Sequence, residues 1–239
     1  MGVSQGLRVS IIVPAYNEEK TILDLLNEVK RQTVDGIEFE TIVIDDGSKD
    51  GTLRLLKANP QLYDVLLTQP NGGKGAAVLA GLKRATGQYI LFQDADLEYS
   101  PSHYPILLFP VQKFGADIVI GSRFMTAQYT RVQFYWHKLG NQAITRLFNI
   151  LFNTTFTDIY SCYLCYRRDL VSPEELLSKG WEQHAEILCR PVDATSKRHE
   201  KREPRRVWRG SLESQLLPPW PGFSLGCCVC CPGLWPGCC

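Results

Sequence analysis

The 239-residue sequence lacks the features of a membrane-spanning or secreted protein and the charge excess of a nucleic-acid-binding protein. No uninterrupted apolar run approaches the roughly 18 residues that a spanning helix needs, and residues 1–10 contain no apolar segment typical of a signal peptide. The formal net charge is only +1, which gives no overall sign of a nucleic-acid-binding protein. We therefore predict a cytoplasmic protein with no nucleic acid partner, whose only membrane contact would be peripheral, on the cytoplasmic face.

Cysteine is also scarce in most of the chain. Only Cys162, Cys165 and Cys189 precede residue 227, and the other six of the nine cysteines crowd into residues 227–239. A secreted disulfide framework would spread its cysteines through the chain, so this distribution favours a reduced, intracellular protein. Cys162 and Cys165 have no second cysteine pair at metal-site spacing, which favours small buried side chains over a metal site.

What the sequence contains is an alternation of short β-branched runs and amphipathic segments from Val9 to Gly121. This alternation is typical of βαβ units that build a parallel sheet. The apolar runs indicate strands that are covered on both faces, and they comprise Val9–Val13, Phe39–Ile44, Val65–Thr68, Tyr89–Gln93 and Asp117–Ile120. The sequence therefore predicts an α/β protein with a Rossmann-like, mostly parallel sheet flanked by helices.

Two further regions follow this alternation. A helix is predicted from Trp136 to Phe152, and its broad apolar face, which either packs in the core or faces a membrane, comprises Leu139, Ala143, Leu147, Ile150 and Leu151. After Arg190 the sequence becomes basic and then rich in cysteine, proline and glycine, with no period that could build a core. We therefore predict a folded domain over residues 1–190 and a disordered or aberrant tail over residues 191–239.

Polar segments follow four of the predicted strands, at the point where each strand ends. A ligand of an open parallel sheet binds outside the carboxyl ends of its strands, so these segments should meet at one edge, which we call the rim. The rim segments are Pro14-Ala15-Tyr16-Asn17-Glu18, Asp45-Asp46-Gly47-Ser48, Gln69-Pro70-Asn71 and Asp94-Ala95-Asp96.

Asp94 and Asp96 are the strongest candidates for metal ligands. They lie two residues apart at the end of an extended run, so their side chains leave the same side of the backbone while Ala95 turns inward. Paired carboxylates suit Mg²⁺ or Mn²⁺, which would neutralise a diphosphate leaving group, and Glu98 is a candidate third ligand. An isolated Asp-x-Asp motif is more often a solvated loop, so this assignment depends on its place at a strand end.

Two other rim segments suit a nucleotide. Asp45 and Asp46 could bind a ribose hydroxyl or a base nitrogen, although capping of the next helix by Asp46 or Ser48 is an alternative. Lys74 follows the Asn-Gly-Gly turn at residues 71–73, where an ammonium and helix amides could meet phosphate, and a solvated turn is the equal alternative. Neither the dinucleotide glycine pattern nor the P-loop pattern is present, which disfavours a dehydrogenase or an ATPase.

Together, these motifs resemble those of family-two glycosyltransferases of GT-A fold, and within them the polyprenyl-phosphate or dolichyl-phosphate sugar synthases. The resemblance runs from about Val9 to Arg190, and its segments are Pro14-Ala15-Tyr16-Asn17-Glu18, Asp45-Asp46-Gly47-Ser48, Gly73-Lys74-Gly75, Asp94-Ala95-Asp96-Leu97-Glu98 and Gly121-Ser122-Arg123. It implies a nucleotide-diphospho-sugar transferase fold and a metal-dependent, inverting transfer of a sugar from a nucleotide-sugar donor to an acceptor.

The resemblance also implies roles for individual residues. The residues that would line the nucleoside pocket are Pro14, Tyr16, Glu18, Ile44 and Asp46. Asp94, Ala95 and Asp96 would contact the diphosphate and the metal, and Glu98 would bind the metal. Arg123 would face donor or acceptor phosphate. A guanidinium suits this task because it can donate hydrogen bonds to two phosphate oxygens at once. Asp94, Asp96 and Arg123 are thus the predicted catalytic residues.

The acceptor that the resemblance implies is a polyprenyl phosphate such as undecaprenyl or dolichyl phosphate. His137, Lys138 and Asn141 stand where relatives that use a lipid phosphate carry a basic residue, and histidine there departs from the pattern. A lipid phosphate is already anionic at neutral pH, so its attack requires no general base. If the acceptor is instead a sugar hydroxyl of a polysaccharide or glycolipid, Asp158 or Glu186 would accept its proton.

Two other classes of function remain as alternatives. A sugar-phosphate nucleotidyltransferase should have a glycine- and arginine-rich loop after its first strand, and Pro14–Glu18 is not such a loop. A non-catalytic membrane-associated or metal-binding protein would depend on the basic stretch Lys197–Arg209 and the cysteine-rich end. The resemblance also implies a further strand and helices after Arg190, which no pattern here indicates, so the sequence predicts an atypical or truncated end and leaves the activity of the chain open.

Overall fold

The computed structural model describes residues 6–96, 99–121, 135–159, 161, 163–178, 180, 182–196 and 207–210, with backbone alone at 135–138, 191–196 and 207–210. Strands and helices alternate along these residues. The strands are β1 (Leu7–Ala15), β2 (Ile37–Asp45), β3 (Val65–Thr68), β4 (Tyr89–Phe92), β5 (Ile118–Gly121), β6 (Leu164–Arg167) and β7 (Val207–Gly210). The helices are α1 (Ile22–Arg31), α2 (Thr52–Ala58), α3 (Lys74–Arg84), α4 (Tyr104–Phe114), α5 (Tyr135–Phe152) and α6 (Gln183–Ser196).

The strands form one sheet in the order β3-β2-β1-β4-β6-β5-β7. Among the described strands, only β6 runs antiparallel to its neighbours, β4 and β5. The five strands predicted from the sequence are all present, and each of their ends lies within two residues of the predicted one. The predicted α/β class with a mostly parallel sheet flanked by helices is therefore confirmed, whereas β6 and β7 were not predicted.

Alternating residues of the central strand β1 enter two separate cores, one on each face of the sheet. Ile11 and Val13 pack with residues of α1, α2 and α4 in the first core, whereas Ile12 packs with residues of α3, α5 and α6 in the second. The helices present one apolar face each, and in α1 this face consists of the buried residues Ile22, Leu25, Leu26 and Val29. Both faces of the sheet are thus covered by helices.

A glycine brings α3 unusually close to the sheet. A Cβ atom at Gly81 would lie 2.8 Å from Cγ2 of Ile12 and 2.8 Å from Cδ1 of Ile44, so a larger residue here would require these side chains or the helix to shift. This close packing fixes the axis of α3 against β1 and β2. The helix begins at Lys74, whose side chain reaches Asp94 after the end of β4.

The structure differs at two places from the expectation for residues 191–239. Helix α6 continues across the predicted boundary at residue 190 and ends at Ser196, and Val207–Gly210 forms an edge strand parallel to β5. A four-residue strand at the edge of a sheet needs no extended periodic pattern. The sequence around it is basic and has no such pattern, so this strand could not be predicted. The rest of the predicted tail lies outside the described residues.

Helix α5 presents an apolar face that the described core does not cover. Asn141, Thr145, Phe148 and Phe152 point toward the protein, with Phe148 only 6% exposed. On the other side, five large apolar side chains are between 41% and 78% exposed, namely Leu139, Ile144, Leu147, Ile150 and Leu151. The predicted apolar face of this helix is therefore a surface. None of the helices in the described part of the chain has the length and hydropathy to cross a bilayer.

Candidate active site

The carboxylate of Asp46, which directly follows β2, organises the loop that leads into α3. Its Oδ1 accepts hydrogen bonds from Nε2 of Gln69 at 2.6 Å and from the amide of Gly72 at 3.0 Å. Its Oδ2 accepts a third bond from the amide of Gly73 at 2.8 Å. Asp46 is 3% exposed, so these charge-assisted bonds are poorly screened and hold the loop firmly.

Two residues with positive φ shape the segments after β1 and β2. Gly47 has a φ of +71°, and a Cβ atom there would lie 2.7 Å from the backbone nitrogen of Asn71, so only glycine fits. Asn17 has a φ of 58°, a conformation that asparagine tolerates better than most residues. Its Oδ1 accepts a bond from the amide of Lys49 at 2.8 Å, and its own amide donates to Oγ of Ser48 at 3.1 Å. These bonds join the two segments at the rim.

Four of the five predicted nucleoside-pocket residues lie at this rim. Tyr16 is 40% exposed, and Pro14 and Glu18 are partly exposed beside it. Asp46 lies at the rim but is buried, and its carboxylate accepts three hydrogen bonds from within the protein. Ile44 is different, because its side chain is 0% exposed and packs in the second core. The side chain of Ile44 therefore presents no surface at the rim.

Lys74 and Asp94 form an ion pair at the centre of the rim. Nζ of Lys74, the first residue of α3, lies 2.6 Å from Oδ1 of Asp94, which follows β4. The two side chains are only 24% and 15% exposed, so water screens their attraction less than at an open surface. Ala95 is buried at 5% exposure in the first core, as predicted, and Asp96 is exposed.

Gln93 holds the segment that carries the two aspartates, and sequence reasoning assigned it no role. This side chain is 0% exposed, and its Nε2 donates to the carbonyl oxygens of Asp94 at 3.1 Å and Tyr99 at 2.9 Å. Its Oε1 accepts a bond from the hydroxyl of Tyr104 at 2.9 Å. The available signal was a polar residue at the end of an otherwise apolar strand, since such a residue must find partners when it is buried.

The start of α6 contacts the same region. Nε2 of Gln183 donates to the carbonyl oxygen of Gly75 at 3.0 Å and to that of Ser178 at 3.0 Å. The ring of His184 packs against Phe92, at the end of β4, with ring centroids 5.4 Å apart. The loop before α6 is therefore fastened to the residue that follows Lys74, although the two are more than 100 residues apart in sequence.

Glu186, a predicted candidate base, fastens this loop in turn. Its carboxylate accepts bonds from the amides of Leu177 at 3.0 Å and Ser178 at 2.9 Å, and from Arg190 at 2.9 Å. Burial alone would raise the pKa of Glu186, but these hydrogen bonds outweigh it and lower the pKa to about 2. A carboxylate with so low a pKa is a weak base near neutral pH.

The predicted acceptor residues are described only in part. Nδ2 of Asn141 donates to Oδ1 of Asp158 at 3.0 Å, in a pair of which Asp158 is 1% exposed and Asn141 is partly exposed. Arg123 lies outside the described residues, and His137 and Lys138 are described by backbone alone at the start of α5. Their predicted roles in binding an acceptor therefore stay predictions.

The residues present at the rim fit a divalent cation that takes part of its coordination from a ligand. Oδ1 of Asp94 forms an ion pair with a cation, the ammonium of Lys74. The second carboxylate, Asp96, follows two residues later in the sequence. In the described part of the chain, which leaves out Glu98, no group of three or more His, Cys, Asp or Glu side chains could hold a metal. Mg²⁺ and Mn²⁺ commonly use one or two carboxylates and complete their coordination with phosphate oxygens and water.

Comparisons with known proteins identify the family and the fold. A model of Glycosyl transferase family 2 matches residues 10–172. Dolichol-phosphate mannosyltransferase of Pyrococcus furiosus is 29% identical over 194 residues, which cover 77% of this chain and 53% of that protein. The chain thus spans about half the length of this curated relative.

Solved structures with the same fold include two that were determined with nucleotides. Glucosyl-3-phosphoglycerate synthase from Mycobacterium tuberculosis, in complex with Mn²⁺, UDP and phosphoglyceric acid, has a TM-score of 0.63 at 20% identity, covering 87% of this chain and 69% of that one. S. aureus TarS, in complex with UDP-GlcNAc, has a TM-score of 0.54 at 22% identity, covering 76% of this chain and 53% of that one. These similarities confirm the predicted GT-A fold. Since the family model covers more than half of the sequence, including Asp46, Lys74 and Asp94, the chain belongs to glycosyl transferase family 2.

Proposed function

We propose that this chain transfers a sugar from a nucleotide-diphosphate donor to an acceptor with inversion, and that the rim binds the donor. The observation that carries this proposal is the placement of Asp94 beside Lys74 at the start of α3. A carboxylate there suits a divalent cation, whereas an ammonium and the amides of a helix N-terminus suit phosphate oxygens. A metal-bound diphosphate is the kind of ligand that requires both.

Each part of the rim has its own role in this reaction. Asp94 and Asp96 would hold Mg²⁺ or Mn²⁺, which when bound supplies positive charge next to the departing diphosphate. Lys74 would bind diphosphate oxygens, and the exposed ring of Tyr16 provides an apolar face for the base. An acceptor oxygen attacks the anomeric carbon from the side opposite the leaving group, so the configuration inverts. Arg123 is proposed to bind donor or acceptor phosphate.

We propose that the acceptor is a polyprenyl phosphate. Its anionic oxygen needs no general base, and neither described candidate base suits a hydroxyl acceptor. Glu186 has a pKa of about 2, and Asp158 is buried against Asn141. The similarity to a protein named as a dolichol-phosphate mannosyltransferase supports the same acceptor class. Transfer to a sugar hydroxyl of a polysaccharide or glycolipid is the alternative.

The exposed apolar face of α5 is proposed to lie on a membrane surface, where such an acceptor would be found. Residues 135–152 include no acidic residue and carry Lys138 and Arg146, a charge balance that suits anionic lipid headgroups. Helices that lie in a membrane interface have an apolar face of this kind and a basic polar side. The proposed contact is therefore peripheral.

Transfer to lipid is the result we expect from the direct test of this function. The protein would be incubated with Mn²⁺, radiolabelled UDP-, GDP- or dTDP-sugars, and either a polyprenyl phosphate or a free glycan. Label should pass from one class of nucleotide sugar to the polyprenyl phosphate, and a chelator should stop the transfer. Label that appears only in the glycan would contradict the lipid acceptor, and transfer that persists after chelation would contradict the metal assignment.

A charge placed on the apolar face of α5 should weaken membrane binding. Ile150 is 78% exposed, so Ile150→Glu removes apolar contact and adds repulsion without disturbing the core. We expect binding to vesicles of mixed neutral and anionic phospholipid, measured by co-sedimentation, to fall about tenfold.

Phe109→Glu is the matched control, because Phe109 is 37% exposed on α4, which covers the opposite face of the sheet. Equal loss of vesicle binding in both variants would show that α5 has no special role at the membrane.

A further inference from the structure

The ion pair of Lys74 and Asp94 puts a cation where the proposed function requires a metal ion. The ammonium lies 2.6 Å from Oδ1 of Asp94, in a contact that is largely shielded from water. A divalent ion bound to the same oxygen would lie within a few ångströms of the ammonium, and two positive charges at that distance repel each other strongly. Lys74 and a metal ion therefore compete for Asp94.

The backbone of Lys74 is anchored by its neighbour, whereas its long side chain has several rotatable bonds. The preceding residue, Gly73, has a φ of +85° and is held through its amide by the carboxylate of Asp46. From this anchored position the lysine side chain extends over four methylene groups, each of which can rotate. The ammonium can thus move from Asp94 to a diphosphate at the N-terminus of α3 without any change in the fold.

We infer that Lys74 couples metal binding to nucleotide binding, an inference that rests on the proposed function. Without nucleotide, Lys74 neutralises Asp94 and opposes metal binding there. A diphosphate attracts the ammonium to its own oxygens and leaves Asp94 to the metal. Binding of the metal and of the nucleotide should therefore be cooperative, and by linkage each increases the affinity of the other by the same factor.

The inference is tested by measuring Mn²⁺ binding rather than transfer. Free Mn²⁺ is followed by electron paramagnetic resonance, with and without the tightest-binding nucleoside diphosphate among UDP, GDP and dTDP. Lys74→Met keeps the length of the side chain and removes its charge. Without nucleotide, this variant should bind Mn²⁺ about tenfold more tightly than the wild type, because the loss of one charge-assisted contact is worth roughly that factor. The gain in Mn²⁺ affinity on adding nucleotide should shrink about tenfold.

Three further variants separate charge from structure. Lys74→Gln provides a second neutral side chain and should reproduce the effect of methionine. Lys74→Arg retains the charge, and Lys83→Met removes an exposed charge from the last turn of the same helix. Lys83→Met should leave Mn²⁺ affinity within about twofold of the wild type, whereas Lys74→Arg should keep the weak Mn²⁺ binding of the nucleotide-free wild type because a positive charge remains beside Asp94. Asp94→Asn should abolish the tighter binding in the Lys74→Met background, which would locate the ion at Asp94.

The possible failures can be told apart. If Mn²⁺ does not bind to the wild type even with nucleoside diphosphate, the metal-dependent function itself is wrong. If Mn²⁺ binds with nucleotide, but neutral variants of Lys74 leave its affinity unchanged in the absence of nucleotide, only the inference about Lys74 fails. Equal Mn²⁺ binding by the Asp94→Asn protein would also overturn the inference, because the ion would then lie elsewhere.

Discussion

Replacing Asp96 with asparagine is expected to lower the rate of sugar transfer about 1000-fold while leaving the fold intact. The carboxylate is proposed to bind the metal that neutralises the leaving diphosphate, and such metals supply several kcal/mol of transition-state stabilisation. A loss of about 4 kcal/mol corresponds to about three orders of magnitude in rate. Because Asp96 is exposed at the rim, asparagine of the same shape should cost little stability. Initial rates at saturating Mn²⁺, together with thermal melting, measure both effects.

The control for this experiment is Asp24→Asn, an exposed aspartate in the first turn of α1. It removes the same charge from a residue that has no proposed part in metal or donor binding, and it should retain the wild-type rate within about twofold. Asp94→Asn should reduce transfer as strongly as Asp96→Asn. A folded Asp96→Asn protein with more than about a tenth of the wild-type rate would contradict a metal held by this carboxylate.

Glu40→Ala is expected to lower the free energy of unfolding by about 3 kcal/mol, through a buried network at the end of the sheet opposite the rim. Glu40 is 4% exposed. Its carboxylate accepts bonds from the hydroxyl of Ser10, and from the amide of Thr86 at 2.8 Å and its hydroxyl at 2.7 Å. Alanine would leave the hydroxyl of Ser10, which is 0% exposed, without this acceptor and would remove both bonds from Thr86, and a buried donor left unpaired costs more than its bond contributes. Urea denaturation at neutral pH measures the change.

The effect of Glu40→Ala should depend on pH. Burial alone would raise the pKa of Glu40, but the bonds from Ser10 and Thr86 and the charge of Arg8 outweigh it and lower the pKa below 4.5. As the pH falls below 4.5, the unfolded chain therefore binds a proton at Glu40 before the folded protein does, and stability decreases. The difference between wild type and variant should be full at neutral pH and smaller at about pH 3.5.

Glu38 provides the comparison for this prediction, since it lies on the same strand and its side chain is 68% exposed. Glu38→Ala should change the free energy of unfolding by less than about 0.5 kcal/mol. If both variants lose the same stability, or if the effect of Glu40→Ala is independent of pH, the buried network does not stabilise the protein as described.

The parallel strands were predictable because helices cover both of their faces, which makes each strand a short continuous apolar run. Val65–Thr68 has the predicted ends, and Val9–Val13 is extended by only two residues at each end. The strand β6 was missed for a different reason. It pairs with β4 and β5 through contacts between residues far apart in sequence, as in the pair Leu91 and Cys165. Its four residues have no sequence pattern that would predict which strand they pair with.

The position of the site could be predicted from the sequence, whereas the contacts of its individual residues could not. Strand ends in a parallel sheet necessarily meet at one edge, so Asp46, Lys74 and Asp94 could be placed together from the sequence. Their hydrogen bonds could not be predicted, because these depend on loop conformations that tertiary packing decides. The bonds of Asp46 to the loop before α3 and those of Gln93 to the segment after β4 are therefore the main findings of the structure at the rim.

The position of β6 in the sheet has a consequence for synthesis on the ribosome. The strands β3, β2, β1 and β4 are neighbours and complete their part of the sheet once the chain has emerged past Phe92. In contrast, both neighbours of β5 follow it in sequence, so β5 has no partner until Leu164–Arg167 emerges. Since chains fold from the N-terminus during synthesis, we expect the half that carries Lys74 to fold first. The bonds of Asp46 that hold the loop before Lys74 can then form before α5 has been synthesised.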